Sequence, residues 1–485
     1  MPDDEPSRPR RLLVLAICCM SLLIVSLDNT VLNVALPSMQ RELHATVAGM
    51  QWTIDAYTLV LASLLMLAGS TADRIGRRKV FGAGLVVFSL GSLLCSLAPS
   101  LEALVAFRMV QAVGGSMLNP VAMSIITNTF TDPRERARAI GAWGATVGIS
   151  MAAGPLVGGL LVESVGWRSI FWINLPVGLA ALLLTFRYIP ESRAPRPRRP
   201  DPVGQLLVIV MLGSLTYAII EAPVSGWTSP PIVGCATLSL LALLCLLRYE
   251  PRRPEPLIEL RFFRSAPFSG AVVIAVSAFA ALGGFLFLNT LYLQEVRGLS
   301  ALSAGLHLLP MAAVTFIGSP LSGRIVGNRG PRLPLAVAGT AMATCAVLFA
   351  LSTSERSTAL LFTGYVLFGI GFGMVNAPIT NTAVTGMPSA QAGVAAAVAS
   401  TSRQIGQTLG VAVIGAVLAS GVHGSAFRSS FATASAPAWW IIAGCGLMVL
   451  LVGLATTGRR ARESALRATE RLDDTGVRRQ SSSLR

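Results

Sequence analysis

Charged residues are scarce in this sequence. They make up 13% of the 485 positions, whereas soluble domains carry about 25%. Lys79 is the only lysine. The sequence also lacks the H-E-x-x-H pattern of zinc proteases, the G-x-S-x-G pattern of serine hydrolases, and a Walker motif. These absences argue against a membrane-embedded enzyme, a receptor with a soluble domain, and an ATP-driven pump.

The seven cysteines do not form the patterns of a disulfide framework or a metal site. All of them fall inside apolar runs, and none belongs to a C-x-x-C pair. Cysteine outside such patterns behaves as a small apolar residue. The seven are Cys18, Cys19, Cys95, Cys235, Cys245, Cys345 and Cys445. We therefore expect no disulfide, no metal and no cofactor.

Long apolar runs dominate the sequence. Hydrophobic residues make up 53% of the chain, and the mean hydropathy is +0.66. A run of about 18 or more apolar residues crosses the ~30 Å hydrocarbon core as a helix. The predicted spans are 11–36, 50–72, 79–99, 101–127, 139–161, 169–189, 203–221, 228–248, 267–293, 302–326, 333–351, 358–382, 394–420 and 437–457. The sequence thus predicts an all-α polytopic membrane protein with fourteen spans, the first retained rather than cleaved as a signal peptide.

The basic residues lie in short blocks between the apolar runs, and the blocks all fall on one side of the membrane when the connections are assigned to the two sides in turn. The net charge is +15, but this distribution follows the positive-inside rule and does not suggest a nucleic-acid surface. The blocks are Arg74/Arg77/Arg78/Lys79, Arg134/Arg136/Arg138, Arg193/Arg196/Arg198/Arg199, Arg252/Arg253/Arg261/Arg264, Arg329/Arg332 and the Arg-rich tail. We therefore expect both termini in the cytoplasm, anionic lipids as partners at that face, and no nucleic-acid partner.

Two similar loops predict an internal repeat. GSTADRIGRRK, between spans two and three, resembles GRIVGNRGPR, between spans ten and eleven. Transporters are often built from two related halves. The predicted organisation is a cytoplasmic tail (1–10), an N-terminal six-helix bundle (11–190), a Pro/Arg-rich linker (191–202), two inserted helices (203–248), a second cytoplasmic linker (249–266), a C-terminal six-helix bundle (267–457) and a basic cytoplasmic tail (458–485).

Five motifs occur in order along the chain. LDNTVLNVALP lies in span one, GSTADRIGRRK after span two, LVAFRMVQAVGGS in span four, AAGPLVGG in span five and STSRQIGQTLGVAV in span thirteen. Together they resemble the major facilitator superfamily and, within it, the drug:proton antiporters with fourteen spans. Ala112 departs from this resemblance, because glycine is usual there. The glycine spacing upstream of Gly154 departs from it as well.

The resemblance implies both a fold and a function. The implied fold is the major facilitator fold, with two six-helix bundles and two inserted helices. The implied function is proton-coupled antiport of hydrophobic, often cationic, drugs or antibiotics by alternating access in a bacterial inner membrane. The expected partners are that small-molecule substrate and protons, and the expected state is a monomer. The alternatives are a proton-coupled symporter and an exporter of one specific metabolite.

The motifs after span two and in span five are candidates for gating. Glycine allows close approach and a tight turn, and Asp73 is an acid placed among cytoplasmic cations. Positive-inside topology explains the arginines but not Asp73. Packing of small residues between helices is the structural alternative for span five, whereas the resemblance implies a bend there. The gating candidates are Gly69, Asp73, Arg74, Gly76, Arg77, Arg78, Gly154, Pro155, Gly158, Gly159 and Arg403.

Three charged residues are predicted to share a depth in the outer half of the membrane. Asp28 and Arg108 lie about two turns below the outer ends of spans one and four, and Asp55 lies about one turn into span two. An aspartate at mid-membrane costs roughly 2.5–3.5 kcal/mol and is usually functional. Burial raises the proton affinity of a carboxylate, and a nearby arginine lowers it. We therefore predict that Asp28 and Arg108 couple transport to protons.

Each charged residue also has a structural explanation. Asp28 would serve only as a hydrogen-bonding group, and Arg108 only to neutralise it. Asp55 would stabilise the first turn of its helix, and Arg403 would extend to the cytoplasmic face. If Asp55 instead stays solvated and ionised, it provides a counter-charge for cationic substrates. The candidates for substrate binding are Asp55, Asn33, Gln111, Asn289 and Asn376.

Overall fold

Fifteen α-helices make up most of the chain. The computed structural model describes residues 8–194, 200–253, 255–352, 357–385, 387, 389–421, 427–458, 461, 463–465 and 467. The helices are α1 (Arg8–Leu43), α2 (Val47–Ile75), α3 (Arg77–Ser96), α4 (Leu101–Thr129), α5 (Pro133–Ser164), α6 (Ser169–Trp172), α7 (Asn174–Tyr188), α8 (Pro202–Ser225), α9 (Pro230–Tyr249), α10 (Ala266–Leu291), α11 (Ala301–Arg329), α12 (Arg332–Ala350), α13 (Thr358–Val384), α14 (Ser389–Gly421) and α15 (Phe427–Thr456). Within these residues there is no β-strand.

Fourteen helical segments are long and apolar enough to cross a membrane. This confirms the predicted number of spans. The sixth span differs from prediction, because it contains two helices, α6 and α7, separated at Ile173. Pro176 lies just inside α7 and has no N–H to donate to the carbonyl of Trp172. The chain therefore breaks its helix at this point and resumes it within the same crossing.

Several helices begin at a polar residue that caps the first turn. Thr46 Oγ1 accepts from the Gly49 N–H (3.1 Å) at the start of α2. Ser100 Oγ accepts from the Ala103 N–H (3.3 Å) at the start of α4. These bonds satisfy N–H groups that have no partner within the helix. Each cap follows a short turn, so the local sequence fixes where one crossing ends and the next begins.

The chain divides into two compact units. The first consists of residues 1–205 and 289–312, and the second of residues 206–288 and 313–485. In the first unit, α3 packs against α4, α1 against α5, and α2 against α4. In the second unit, α12 packs against α15 and against α13. The domain boundaries expected from the sequence stay a prediction.

Glycines bring α3 and α4 into backbone contact. A Cβ added at Gly91 would lie 2.5 Å from Gln111 Cα, and one added at Gly114 would lie 2.2 Å from the Phe88 nitrogen. Small residues permit such approach between membrane helices, where packing drives association. The close contact fixes the position of α4, and with it Arg108 and Gln111, in the first unit.

Candidate functional site

Asp28 lies at the centre of a buried polar network in the first unit. Its side chain, on α1, is 2% exposed. Arg108 Nη1 on α4 donates to Asp28 Oδ2. Gln111 Nε2 donates to Asp28 Oδ1 (2.9 Å), and Asn174 Nδ2 donates to the same oxygen (3.0 Å). Three donors from two other helices therefore pair the carboxylate completely in this conformation.

Arg108 is surrounded by hydrogen-bonding and aromatic partners. Its side chain is 0% exposed. Nη1 also donates to Gln111 Oε1 (2.8 Å), and Nε donates to the Thr53 carbonyl (3.4 Å). The guanidinium carbon lies 4.2 Å from the centre of the Tyr57 ring, a cation–π distance. Nη2 has no hydrogen-bond partner among the described residues, so its two N–H groups remain available when the network rearranges.

Asn174 joins the network from the break in the sixth span. It is the first residue of α7, and its Nδ2 also donates to Ser92 Oγ on α3 (3.0 Å). Ser92 in turn donates to the Phe171 carbonyl in α6 (2.9 Å). The start of α7 therefore carries a side-chain amide that contacts Asp28. Neither Asn174 nor Ser92 was among the predicted site residues, although the amide inside the apolar run WRSIFWINLPVG was a signal for it.

The predicted pairing of Asp28 with Arg108 is present in the structure. The two residues were expected at one depth because each lies about two turns below the outer end of its helix. Contact between α1 and α4 then brings the two side chains together. Removing either partner alone would leave a buried charge uncompensated, which costs about 3–5 kcal/mol.

The structure places Asp55 away from Arg108 and corrects one expectation for this residue. It forms no ion pair with Arg108 among the described residues. Thr53 and Tyr57 face Arg108, and Asp55 lies two residues from each, so it is about 200° around α2. Asp55 was expected to be solvated, but it is 0% exposed. The Thr58 hydroxyl lies beside its carboxylate but donates to the Ile54 and Asp55 carbonyls (3.4 Å each).

Two glycines of the span-five motif pack α5 against α1 just beyond Asp28. A Cβ added at Gly154 would lie 2.0 Å from Thr30 Oγ1, and one added at Gly158 would lie 3.0 Å from Val31 Cγ1. Thr30 Oγ1 also lies 3.2 Å from the Ser150 carbonyl on α5, to which it donates. The helix that carries Asp28 is therefore held against α5 through backbone proximity.

The other face of the same motif packs against the start of α11. A Cβ added at Gly159 would lie 2.5 Å from Leu302 Cα, and one added at Gly305 would lie 2.2 Å from the Pro155 carbonyl oxygen. Residues 289–312 belong to the first unit, whereas the rest of α11 belongs to the second. α5 thus contacts both the helix of Asp28 and a helix that continues into the second unit.

The loop between α2 and α3 is hydrogen-bonded to the segment that follows α7. Asp73 Oδ1 accepts from Arg77 Nη2 (2.9 Å), and the Arg77 N–H donates to the Ser192 carbonyl (2.9 Å). Glu191 Oε1 accepts from the Arg78 N–H (3.1 Å). Gly76 between the helices has φ +131°, a conformation that favours glycine. Four of the predicted gating residues therefore belong to one connected structure, namely Asp73, Gly76, Arg77 and Arg78.

Comparison with known proteins decides the family. A model described as the Major Facilitator Superfamily matches residues 18–411, most of the chain. The chain belongs to the major facilitator superfamily. It is a multi-pass membrane transporter and not an enzyme.

Several relatives within the superfamily are named for drug resistance. The chain is 39% identical to "Multidrug resistance protein Stp" of Mycobacterium tuberculosis (strain CDC 1551 / Oshkosh) over 84% of this chain and 76% of that protein. It is 37% identical to "Tetracenomycin C resistance and export protein" of Streptomyces glaucescens, over 90% and 82%. It is 33% identical to "Methylenomycin A resistance protein" of Bacillus subtilis (strain 168), over 91% of each.

A solved structure supports the major facilitator fold. A bacterial homologue of the human lysosomal transporter Spinster, in an inward-facing and occupied conformation, aligns with a TM-score of 0.67. The alignment covers 94% of this chain and 99% of that chain, at 18% sequence identity. The predicted fold, all-α with fourteen spans, is confirmed.

The predicted substrate-binding residues are distributed over both units of this superfamily member. Gln111 belongs to the Asp28 network. Asn33 donates to the Asn29 carbonyl of its own helix (2.8 Å). Asn289 is fully buried near the end of α10, and Asn376 is partly buried in α13. The roles of all of them in substrate binding stay predictions.

The remaining gating candidates differ in their packing. Gly69 is not at a close approach, since an added Cβ would meet Pro120 Cβ at an ordinary 3.6 Å; the expected steric need for glycine there is wrong. Arg74 lies in the last turn of α2. Arg403, in α14, donates from Nη2 to Thr380 Oγ1 (2.6 Å). Its gating role stays a prediction.

The C-terminal end of α1 has contacts that sequence reasoning missed. Gln294 Nε2 donates to the Val34 carbonyl (2.8 Å), and Arg41 forms an ion pair with Glu295 (2.9 Å). Glu42 accepts from Trp167 Nε1 (2.7 Å) and pairs with Arg168. Both groups of contacts lie within the first unit. No local sequence pattern pairs residues this far apart in the chain.

Proposed function

We propose that this superfamily member is a proton-coupled antiporter that exports hydrophobic drugs or antibiotics, cationic ones among them, from a bacterial cell. The observation that carries the proposal is the buried Asp28–Arg108 ion pair in a transporter whose relatives are named for drug resistance and export. The proposal includes an inner-membrane location, a monomer with both termini in the cytoplasm, and anionic lipids against the cytoplasmic basic blocks. Transport follows alternating access, in which the substrate site opens to one side of the membrane and then to the other.

Proton coupling requires a carboxylate whose environment changes during the cycle. Asp28 is fully paired here, with Arg108, Gln111 and Asn174 as donors. A proton on Asp28 would remove the charge that compensates the buried Arg108 guanidinium, and an uncompensated buried charge is costly. Protonation therefore favours a conformation in which Arg108 finds another partner. A membrane potential of 100 mV contributes about 2.3 kcal/mol for each charge moved.

α5 is suited to transmit the conformational change at Asp28 to α11. Gly154 lies against Thr30, two residues from Asp28, and Gly159 lies against Leu302 in α11. Packed helices respond to a shift by sliding or by rocking as rigid bodies. We propose that a displacement of α1 on protonation moves α5 and, through it, α11. The Asp73–Arg77 loop would then stabilise one of the two conformations at the cytoplasmic face.

Substrate contacts are proposed for the polar residues inside the spans. Asp55 is a buried acid outside the Arg108 network, and it is proposed as the counter-charge for cationic substrates in the conformation that opens α2 to water, where its carboxylate would ionise. Asn33, Asn289 and Asn376 are proposed as hydrogen-bonding groups. Gln111 is already bonded to Asp28 and Arg108, so its contact with substrate would require the network to open.

The function is tested by export of a compound panel from energised vesicles. Inside-out vesicles carrying the protein should accumulate hydrophobic dyes and antibiotics, and an uncoupler should abolish the accumulation. Vesicles with Asp28→Asn at equal expression should behave like those treated with uncoupler. Accumulation that persists with the uncoupler and needs ATP would contradict proton coupling. The absence of accumulation for every compound would contradict drug export.

A further inference from the structure

Arg403 is a cation within a membrane helix of the second unit. The apolar part of α14 is Val394–Gly421, and Arg403 lies nine residues into it, about 13 Å at 1.5 Å per residue. Polar and charged residues at such depth are rare, and they face the bundle interior or a water-filled cavity and mark substrate pathways. Arg403 therefore needs a partner or a ligand.

No acid neutralises Arg403 among the described residues. Between Glu295 and Glu463 the sequence contains a single acidic residue, Glu355, in the connection between spans eleven and twelve. Nη2 of Arg403 donates to the neutral hydroxyl of Thr380, and Nε is inaccessible to solvent and has no hydrogen-bond partner among the described residues. The Arg403 residue as a whole is partly buried, but its Nε is enclosed, and charged groups withdrawn from water are normally paired. The Arg108 guanidinium has such a carboxylate and Arg403 does not.

The neighbouring surface of α13 is polar and exposed. Thr380 and Asn381 are exposed, and Asn376 is partly buried one turn before Thr380 on the same side of the helix. The opposite side of α13 is buried, as Gly371 and Pro378 show. Contact with lipid tails would not favour hydroxyl and amide groups there. The second unit thus presents a guanidinium beside neutral hydrogen-bonding groups.

We propose that Arg403, with Thr380 and Asn376, binds the anionic group of substrates that carry a carboxylate or an acidic phenol. A guanidinium binds a carboxylate through short, charge-assisted hydrogen bonds, whereas Thr380 and Asn376 add neutral contacts without repelling an anion. With this site, the exporter would transport acidic hydrophobic compounds in addition to neutral and cationic ones. This assignment rests on the proposed export function, because it names a substrate class for it.

Equilibrium binding tests the assignment without relying on transport. The probes are naphthoic, fluorene-carboxylic and anthracene-carboxylic acids and the methyl ester of each. They are titrated against the purified full-length protein in phosphatidylcholine vesicles. Arg403→Gln should weaken binding of at least one acid by about tenfold or more, since a hydrogen bond to a charged group contributes about 1.5–3 kcal/mol. Binding of the matching ester should stay within about twofold. Arg403→Lys keeps the charge and should retain part of the affinity.

The control is Arg248→Gln, which removes one positive charge from an exposed arginine of the same unit. It should bind acids and esters like the wild type. Equal losses for acid and ester in Arg403→Gln, or acids that bind the wild type no better than Arg403→Gln, would overturn the assignment. A difference between variants that appears only when phosphatidylglycerol is added would identify a lipid-headgroup site and overturn it too. Arg403-dependent binding without export of any compound would count against the proposed export function and leave the site in place.

Discussion

At the scale of single residues, the two acids of the first unit differ in how they are satisfied. Asp28 accepts from three side chains, whereas neither Asp55 carboxylate oxygen has a hydrogen-bond partner among the described residues. The sequence indicated the depth of both acids, because depth follows from position along a helix. It could not indicate that Asn174 approaches Asp28, because that contact depends on how α7 packs against α1.

Asn174→Ala tests whether the network acts as a unit. The substitution removes one of the two donors to Asp28 Oδ1 and the donor to Ser92 Oγ, which keeps only its bond to the Phe171 carbonyl. Breaking buried hydrogen bonds costs about 1–3 kcal/mol, so we expect transport to fall by about tenfold or more with normal insertion. Asn29→Ala is the matched control, because the Asn29 amide donates within its own helix. Transport equal to wild type in Asn174→Ala would show that the third donor is dispensable.

Asp55→Asn tests the proposed counter-charge. The change keeps the size of the side chain and removes its charge, so export of permanent cations should fall more than export of neutral drugs. Divalent cations should be affected most, because the electrostatic attraction to a carboxylate scales with their charge. Matched neutral, monovalent and divalent substrates are compared at equal expression. Equal losses for all three classes would assign Asp55 a structural role.

At the scale of helices, glycine positions decide how closely α1 and α5 approach. An alanine at 154 would bring its Cβ within 2.0 Å of Thr30 Oγ1, whereas nothing lies within 4 Å of a Cβ at Gly144 on the same helix. Gly154→Ala should therefore destabilise the protein by about 1–3 kcal/mol through overpacking. Gly144→Ala should be neutral or slightly stabilising. Thermal unfolding in detergent measures both, and equal midpoints for the two variants would refute this packing.

The loop between α2 and α3 is tested through Asp73. Asp73→Asn weakens the bond to Arg77, which lies outside the polar network of Asp28. We expect slower transport with little change in equilibrium substrate binding, because the loop would affect the exchange of conformations. Glu163→Gln, at an exposed position of α5, controls for the loss of one negative charge. Binding that falls in proportion to transport would exclude a gating role.

At the scale of the whole molecule, the composition of the sequence was sufficient to predict the fold class, an all-α membrane protein. Apolar runs long enough to span a bilayer predicted fourteen crossings, and the described residues contain fourteen helical segments long and apolar enough to cross a membrane. The face of a helix was less predictable, as Asp55 shows, because the sequence does not say which side of α2 meets α4. Contacts of α1 with Gln294 and Glu295 were beyond prediction, since they depend on how distant segments pack.

The central claim is that Asp28 carries the coupled proton. An asparagine in its place can still hydrogen-bond with Gln111 and Asn174 but cannot take up a proton. Proteoliposomes containing wild type or Asp28→Asn, with a pH-sensitive dye inside, are supplied with a transported drug. Drug–drug exchange is measured in parallel to show that the protein is folded, and Asp28→Asn combined with Arg108→Gln covers the case in which the single variant unfolds. We predict that Asp28→Asn, or the double variant, exchanges drug but moves no protons. Drug-driven proton movement equal to that of the wild type would contradict the claim.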